Sequence, residues 1–471
     1  MSHTYAPARS GKWWLRPAGM VTSAYLVLLI IGIALLMLPI ARVGEGGATL
    51  LEAAFTATSV VCVTGLAVVD TATYWTGFGH AVIFVLCEIG GLGVMTLTSL
   101  ILMRVSRSLG LRARASTGAE AGGLVPGNVR EVVIAVGRVA LVSQAIIAIV
   151  LALRFRLHYD YGSLESLWLG VFHAASAFNN LGYALFSDNL VGFAADWFII
   201  LPICAGIILG GLGLPVLLEL WTHRGALRAR LSRRFGRRIP GSHIRPHRWS
   251  IHTRMMTVGT VVLLSGGFVL FLATEWTNPG TLGPLGVSGK VLSAFGLSAF
   301  PRTGGFNSVD VTELRSESWF FTDVLMYIGA GPASTAGGFK ITTLMVLAAI
   351  AITEIRGNPD TRMWDRTIPA ATQRAAIAVG TVFTAIVLTS TGVMLSLSPF
   401  TLSEVLTEVI SAMSTVGLST GITAQLDPAS QILLMLLMFI GRLGPMTFAA
   451  ALALNTRTMH YSLPEERPYI G

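Results

Sequence analysis

Four short stretches, each ending in a glycine, interrupt a chain otherwise built of apolar runs long enough to cross a bilayer. They read Val63-Thr64-Gly65-Leu66, Asn180-Leu181-Gly182-Tyr183, Thr303-Gly304-Gly305-Phe306 and Thr415-Val416-Gly417-Leu418. Their glycines, 65, 182, 305 and 417, lie 117, 123 and 112 residues apart. A similar lead-in precedes each: Thr58-Ser59, Ser176-Ala177-Phe178, Ser298-Ala299-Phe300 and Ser411-Ala412-Met413. A second motif follows 24 to 32 residues later: Gly90-Gly91-Leu92-Gly93, Gly210-Gly211-Leu212-Gly213, Gly337-Gly338-Phe339-Lys340 and Gly441-Arg442-Leu443-Gly444. With 51 glycines in the chain a single match is weak, but two motifs recurring in one order four times define an internal repeat.

The apolar runs set the environment of that repeat. Eight of them, beginning near Met20, Gly79, Val132, Phe198, Met255, Phe320, Ala375 and Ile432, reach or approach spanning length. Charged residues make up only 12% of the chain, about half the usual share of a soluble domain, which is about 25%. Non-helical backbone at membrane depth is tolerated only where protein buries it or it lines a watery cavity. The expected fold is therefore an all-α membrane protein: eight transmembrane helices as four helix–re-entrant pore loop–helix repeats around one pore. The repeats run parallel, because each holds an even number of spans, unlike the inverted repeats of many transporters. Expected boundaries are a cytoplasmic N-terminus over 1–19 and repeats over 20–110, 130–222, 254–353 and 373–456. An arginine-rich loop over 223–253 and a tail over 457–471 complete the chain.

Charge gives the orientation. Ten arginines and no acid fall between Thr222 and Arg254; Arg104, Arg107, Arg112 and Arg114 follow the second apolar run, and Arg9, Lys12 and Arg16 precede the first. Acids gather in the alternate connections. The positive-inside rule then puts both termini in the cytoplasm. The basic loop fits attraction to anionic lipid headgroups better than nucleic acid, which is not an expected partner.

A cation that leaves water needs oxygens in place of its hydration shell, and rings of backbone carbonyls supply them in potassium filters. Aiming consecutive carbonyls at one axis takes backbone shapes that glycine reaches without penalty. The candidate ion-binding set is therefore Val63, Thr64 and Gly65; Asn180, Leu181 and Gly182; Thr303, Gly304 and Gly305; and Thr415, Val416 and Gly417. Asp70, Asp188 and Asp310 follow their glycines by five, six and five residues. They form either a loose acidic ring at the outer mouth or ordinary solvated loop acids; the fourth repeat has no counterpart.

Two cations sit within apolar runs, Lys340 and Arg442. Burying one near a helix centre costs on the order of 2.5–3.5 kcal/mol even on insertion scales, so a gating or barrier role below the filter is expected, with Glu88 a possible partner. The third repeat carries ten small residues in series, Gly329-Ala330-Gly331-Pro332-Ala333-Ser334-Thr335-Ala336-Gly337-Gly338. Such poor helix formers break a helix, giving either a kink or an intramembrane gate in which Gly329, Gly331, Ser334, Thr335, Gly337 and Gly338 take part. His173 is expected to pack rather than react, and Cys62, Cys87 and Cys204 to be packed thiols. No nucleotide loop, triad or metal cluster marks an enzyme.

These residues resemble the Trk/Ktr/HKT superfamily of potassium transporters, from about Met20 to the C-terminus. The resemblance rests on Val61-Cys62-Val63-Thr64-Gly65-Leu66, Ser176-Ala177-Phe178-Asn179-Asn180, Arg302-Thr303-Gly304-Gly305-Phe306-Asn307, Gly331-Pro332-Ala333-Ser334-Thr335-Ala336-Gly337-Gly338 and Gly441-Arg442-Leu443-Gly444-Pro445. With the tail Glu465-Glu466-Arg467-Pro468-Tyr469-Ile470-Gly471, they look most like the KtrB branch, the membrane subunit of bacterial Ktr systems. The resemblance implies potassium uptake across the bacterial cytoplasmic membrane. It also implies a homodimer with one pore per protomer and a cytosolic KtrA-type (RCK) ring that binds ATP or ADP. Sodium enters as activator, and no nucleotide binds this chain itself. Glycine in all four filter positions favours potassium, since sodium-selective relatives carry serine in the first. The family's gate maps onto Gly329 to Gly338 and its pore arginine onto Arg442. Gly304 stands where alanine is common, Glu88 where glutamine is frequent, and the arginine-rich loop is unusually long. The competing expectations are sodium-coupled symport by alternating access and a sodium-permeable transporter.

Overall fold

The computed structural model describes residues 17–116, 129–221 and 249–454. The basic residues Arg9, Lys12 and Arg16, the arginines between 222 and 248, and the tail from 455 lie outside the described residues. The described chain is helical apart from one small hairpin, Arg362–Met363 against Arg366–Thr367. That hairpin, tied back to the earlier helix Ile251–Glu275 by an Arg254–Asp365 ion pair of 2.8 Å, has no counterpart in the sequence-based expectation.

By length and composition, four helices can cross a membrane: Gly77–Ser99, Arg130–His158, Ile251–Glu275 and Ala370–Leu397. Trp197–Leu212 and Leu214–Trp221 form a fifth span bent by 102°. The break is at Gly213, whose φ of +82° a side chain would resist. Thr22–Leu36, Ile341–Ile355 and Pro428–Gly444 are apolar but shorter, so the expected count of eight is not met on length and apolarity alone. Only 28% to 44% of the four long windows is buried inside the protein. The remaining apolar surface is far larger than water tolerates, and the chain is a multi-pass membrane protein.

Each repeat opens with a long helix, turns into a short one, passes through its glycine loop and continues into another helix. In the first these are α1 (Pro17–Leu36), α2 (Leu50–Val61) and α3 (Gly77–Ser116). The second has α4 (Val129–His158), α5 (Ser163–Asn179) and α6 (Trp197–Leu212), with α7 (Leu214–Trp221) beyond the bend. The third has α8 (Ile251–Glu275), α9 (Val287–Ala299), α10 (Ser316–Tyr327) and α11 (Ile341–Ile355). The fourth has α12 (Ala370–Leu397), α13 (Leu402–Ser414) and α14 (Pro428–Leu454). At 40 residues, α3 is about 60 Å long at 1.5 Å per residue, twice a hydrocarbon core. Its apolar window ends at Ser99, just before its arginines.

The short helices begin where the sequence offers caps. Thr49 with Glu52, and Thr401 with Glu404, form reciprocal capping boxes that start α2 and α13. Asp196 starts α6 by accepting from the Phe198 N–H at 2.9 Å and also pairs with Arg154 at 2.7 Å. The repeats then pack in a closed circle. α3 packs on α4 and α5, α6 on α9, α10 on α13 with α11 on α12, and α14 returns to α1 and α2. Buried clusters bridge the seams: Leu443 of the fourth repeat joins the core of the first, and Phe300 and Phe306 of the third join that of the second.

Candidate functional site

The four short helices α2, α5, α9 and α13 end at the four glycine loops, and there the backbone turns left-handed at matched positions. Val63, Asn180, Thr303 and Thr415 have φ of +53°, +63°, +64° and +51°, and the glycines two residues on have +98°, +85°, +69° and +97°. Glycine takes such values freely; the other four are side-chain-bearing residues held there against a cost of about 1–2 kcal/mol each. The recurrence in all four loops was legible in the sequence only for the glycines.

Lead-in serines explain part of this shape. The Gly65 N–H donates to Ser59 Oγ at 3.1 Å and the Gly417 N–H to Ser411 Oγ at 3.0 Å. In the same register the N–H groups of Thr64, Leu181 and Val416 donate to the carbonyls of Ser59, Ser176 and Ser411 at 2.7, 2.8 and 2.9 Å. The third loop departs. Ser298 stands seven residues before its glycine where the others stand six before theirs, and its hydroxyl turns to the Leu264 carbonyl at 2.8 Å. Gly305 donates instead to the Phe300 carbonyl at 3.2 Å. The shared Ser-Ala-Phe triplet hides this one-residue insertion.

The loops meet at their glycines. A methyl carbon placed on Gly65 would strike the Leu181 carbonyl oxygen, and one on Gly417 the Thr64 carbonyl oxygen. On Gly182 it would come within 2.8 Å of the Gly304 oxygen, and on Gly305 within 2.5 Å of the Val416 oxygen. The carbonyl before each glycine thus lies against the glycine of a neighbouring loop, in the order first, second, third, fourth, first. All four glycines line one cavity of about 330 Å³, together with Tyr183, Ser187, Asn307, Ser419, Asp70 and Asp310. Asp188 does not line it; its carboxylate accepts from the Gly192 N–H at 2.8 Å. Asp70 accepts from Ser187 Oγ (2.6 Å), Thr73 Oγ1 (2.8 Å) and the Ala72 N–H (3.0 Å). Asp310 accepts from Thr312 through its N–H (2.9 Å) and hydroxyl (2.7 Å). Two of the three expected mouth acids are therefore at the cavity, each also capping a turn.

The second motif supplies close approach. A methyl carbon on Gly90, Gly210 or Gly441 would strike the carbonyl of Val61, Phe178 or Met413, each four residues before its loop glycine. These glycines let α3, α6 and α14 lie against the ends of the short helices. In the third repeat the motif sits elsewhere: Gly337 lies on the Thr415 side chain, and Gly338, with φ of +66°, on Ser414 of the fourth.

Between Tyr327 and Ile341 the chain is not helical, and this segment crosses beneath the loops. Gly331 and Thr335 donate their N–H groups to the carbonyls of Gly211 and Gly210 at 3.0 and 3.2 Å, and Leu214 donates to Ala333 at 3.1 Å. Thr335 Oγ1 donates to the Phe178 carbonyl at 3.0 Å. Ser334 Oγ closes a turn onto the Gly331 carbonyl at 2.6 Å, and Gly329 lies against the Gly337 carbonyl. Lys340 Nζ donates to the carbonyls of Ala336 (2.7 Å) and Gly337 (2.9 Å). Arg442, 2% exposed, donates to the carbonyls of Thr335 and, at 3.2 Å, Gly90. Both intramembrane cations thus hold carbonyls of this segment. Glu88 is not their ion-pair partner: it accepts from Asn179 Nδ2 at 3.0 Å. No pattern in the residues pointed to that pairing, nor to Tyr25, whose hydroxyl donates to the Gly90 carbonyl at 2.7 Å. Cys62, Cys87 and Cys204 are buried free thiols. Among the described residues no three His, Cys, Asp or Glu side chains gather as metal ligands.

A family model described as "TrkH: Cation transport protein" matches residues 20–459. The chain is 34% identical over 462 residues to Ktr system potassium uptake protein B of Bacillus subtilis, covering 97% of this chain and 98% of that protein. It is 36% identical over 448 residues to Ktr system potassium uptake protein B of Vibrio alginolyticus, covering 95% and 93%. It is 31% identical over 466 residues to Potassium/sodium uptake protein NtpJ of Enterococcus hirae, covering 97% and 98%. Among solved structures, the potassium transporter TrkH from Vibrio parahaemolyticus superposes with a TM-score of 0.70 over 94% of this chain and 86% of that one. The identity there is 14%, so that likeness concerns the fold.

Proposed function

Because this chain belongs to the TrkH family of cation transport proteins, a family of transporters and not of enzymes, we propose that it carries potassium into the cell through one pore per chain. The carbonyls of Thr64, Leu181, Gly304 and Val416 form the main filter ring, with those of Val63, Asn180, Thr303 and Thr415 below it. The observation that carries this reading is the abutment of each such carbonyl on the glycine of a neighbouring loop, which leaves no room for a side chain and suits oxygens gathered on a common axis. Potassium is chosen because the relatives of highest identity above bear potassium uptake in their names.

Segment 329–338 is the gate. It lies under the loops, and Lys340 and Arg442 clamp its carbonyls. Asp70 and Asp310 enrich cations at the outer mouth. Eight spans, four of them short or broken, bring both termini to the cytoplasmic face, where the arginines lie. The relatives named for a Ktr system support a second component for this chain also: a cytosolic KtrA-type ring that binds ATP or ADP and acts on the gate. The chain works as a homodimer, and anionic lipid contacts the arginine-rich loop. Sodium permeation or activation is the second reading, favoured by the potassium/sodium name of NtpJ.

The test is rubidium and sodium tracer uptake into proteoliposomes, beside a Gly305→Ser variant. Rubidium uptake that excess potassium blocks, with selectivity weakened in the variant, is expected. Equal sodium and rubidium uptake in the unaltered chain would move the assignment to the second reading. Selective uptake that Gly305→Ser leaves unchanged would remove the filter from these loops.

A further inference from the structure

Behind the second and fourth loops, two chemically different side chains make one and the same backbone bond. His173 stands nine residues before Gly182, and its Nε2 accepts from the N–H of Leu185, three residues after that glycine, at 3.2 Å. Glu408 stands nine residues before Gly417, and its Oε1 accepts from the N–H of Thr420, three residues after that glycine, at 3.1 Å. Both side chains belong to fully buried residues. An N–H can only donate, so Nε2 of His173 is the bare nitrogen of a neutral ring; Nδ1 then donates to the Leu169 carbonyl at 2.7 Å.

Each acceptor is set for this bond by its surroundings. The His173 ring stacks on Phe186, with centroids 5.1 Å apart, and lies 6.2 Å from Phe155. Glu408 also accepts from the hydroxyls of Ser419 (2.5 Å) and Thr423 (2.8 Å), and Ser419 lines the outer cavity. In the other two repeats the position is spent differently. Thr56 stands nine before Gly65, and its buried hydroxyl has no partner. Gly296 stands nine before Gly305 and faces Ser308, whose buried hydroxyl also has none. The loops lie in chain order around the ring, so the two braced loops face each other across it.

We infer that His173 and Glu408 are a pair of positioning residues that fix the outward strands of opposite filter loops and so set how sharply the ring discriminates potassium from sodium. This rests on the filter assignment proposed above. Discrimination between ions that differ by a few tenths of an ångström in radius needs oxygens that do not follow the smaller ion inward. An unbraced strand lets them follow; the buried acceptors hold the strand at its N–H. Removing either acceptor also leaves a donor unpaired, buried at Thr420 and half-buried at Leu185, so the strand would leave its place to find water.

The experiment is a thermal-unfolding titration of the purified full chain in detergent, with KCl or NaCl against choline at constant ionic strength. Ligand linkage converts the stabilisation by each ion into an apparent affinity without requiring an open gate. The variants are His173→Leu, Glu408→Leu, His173→Gln and Glu408→Gln, with Gly305→Ser as the control on the ring itself. The potassium-to-sodium affinity ratio is expected to fall about tenfold in the Leu variants and about threefold in the Gln variants, which keep one acceptor oxygen in a poorer position. A merely structural role would lower the melting temperature in choline and leave the ratio as in the unaltered chain. That result in the Leu variants, or in the Gln variants where the Leu chains do not fold, overturns the inference. If Gly305→Ser shifts the ratio and the brace variants do not, the filter stands and the brace falls. If no variant shifts it, Gly305→Ser included, the filter assignment itself has failed.

Discussion

At the scale of single residues, Asp70 caps a turn at the cavity, and in the proposed reading the same carboxylate also concentrates cations there. Burial pushes the Asp70 carboxyl up, but hydrogen bonds from Ser187, Thr73 and the Ala72 N–H outweigh it and hold the group below the usual carboxylate range. A group whose folded value is depressed contributes stability above its unfolded value and loses it only as pH falls through the folded one. Asp70 therefore stays charged, and its turn capped, when external pH drops from about 7 to about 5. Asp70→Asn is expected to raise the KM for rubidium roughly two- to threefold at low ionic strength while leaving the maximal rate, since a mouth charge concentrates ions without touching the ring. The effect should fade near 1 M salt, where the Debye length is about 3 Å. Tracer uptake at two ionic strengths checks it; a changed maximal rate would place Asp70 in the conduction path instead.

At the scale of elements, much of the site was legible because it repeats. The four glycines, their spacing and the second motif lie open in the sequence, and the break between Tyr327 and Ile341 follows from ten small residues in series. What those letters hold was less legible. The insertion before Gly305 is masked by a repeated triplet, and counting back to Ser298 reveals it. The Glu88–Asn179 contact joins residues 91 apart and follows no period, so charge alone pointed wrongly to Lys340 or Arg442. The broken segment carries its own prediction. Thr335→Val removes the donor to the Phe178 carbonyl, worth about 1 kcal/mol, so the open-to-closed ratio should rise about fivefold. Deleting residues 333–337 removes the Arg442 contact as well and should raise rubidium flux further. Flux unchanged or lower in both variants, at normal expression, would leave this segment a helix break without gating.

At the scale of the whole molecule, the orientation proposed for the ring rests on charge, and the helices add a constraint that composition lacks. The loops share one cavity with Asp70 and Asp310, while the clamped segment meets residues that precede the loop glycines, Phe178, Ser414 and Thr415. Chain order alone makes the first three loop contacts natural; closure from fourth to first depends on α14 packing back against α1 and α2, which no local pattern encodes. If the positive-inside rule sets the orientation, the cavity opens outward and the turn after α11 faces the cytoplasm. Thr312, exposed at the cavity, and Arg356, exposed after α11, report the two faces. The three native cysteines are buried, so labelling of a single introduced thiol has a low background. In intact cells a membrane-impermeant maleimide should label Thr312→Cys and spare Arg356→Cys until the membrane is opened. Labelling in the reverse order would invert the molecule, making the acidic cavity an inner vestibule and the segment beneath the ring an external gate beyond reach of any cytosolic partner.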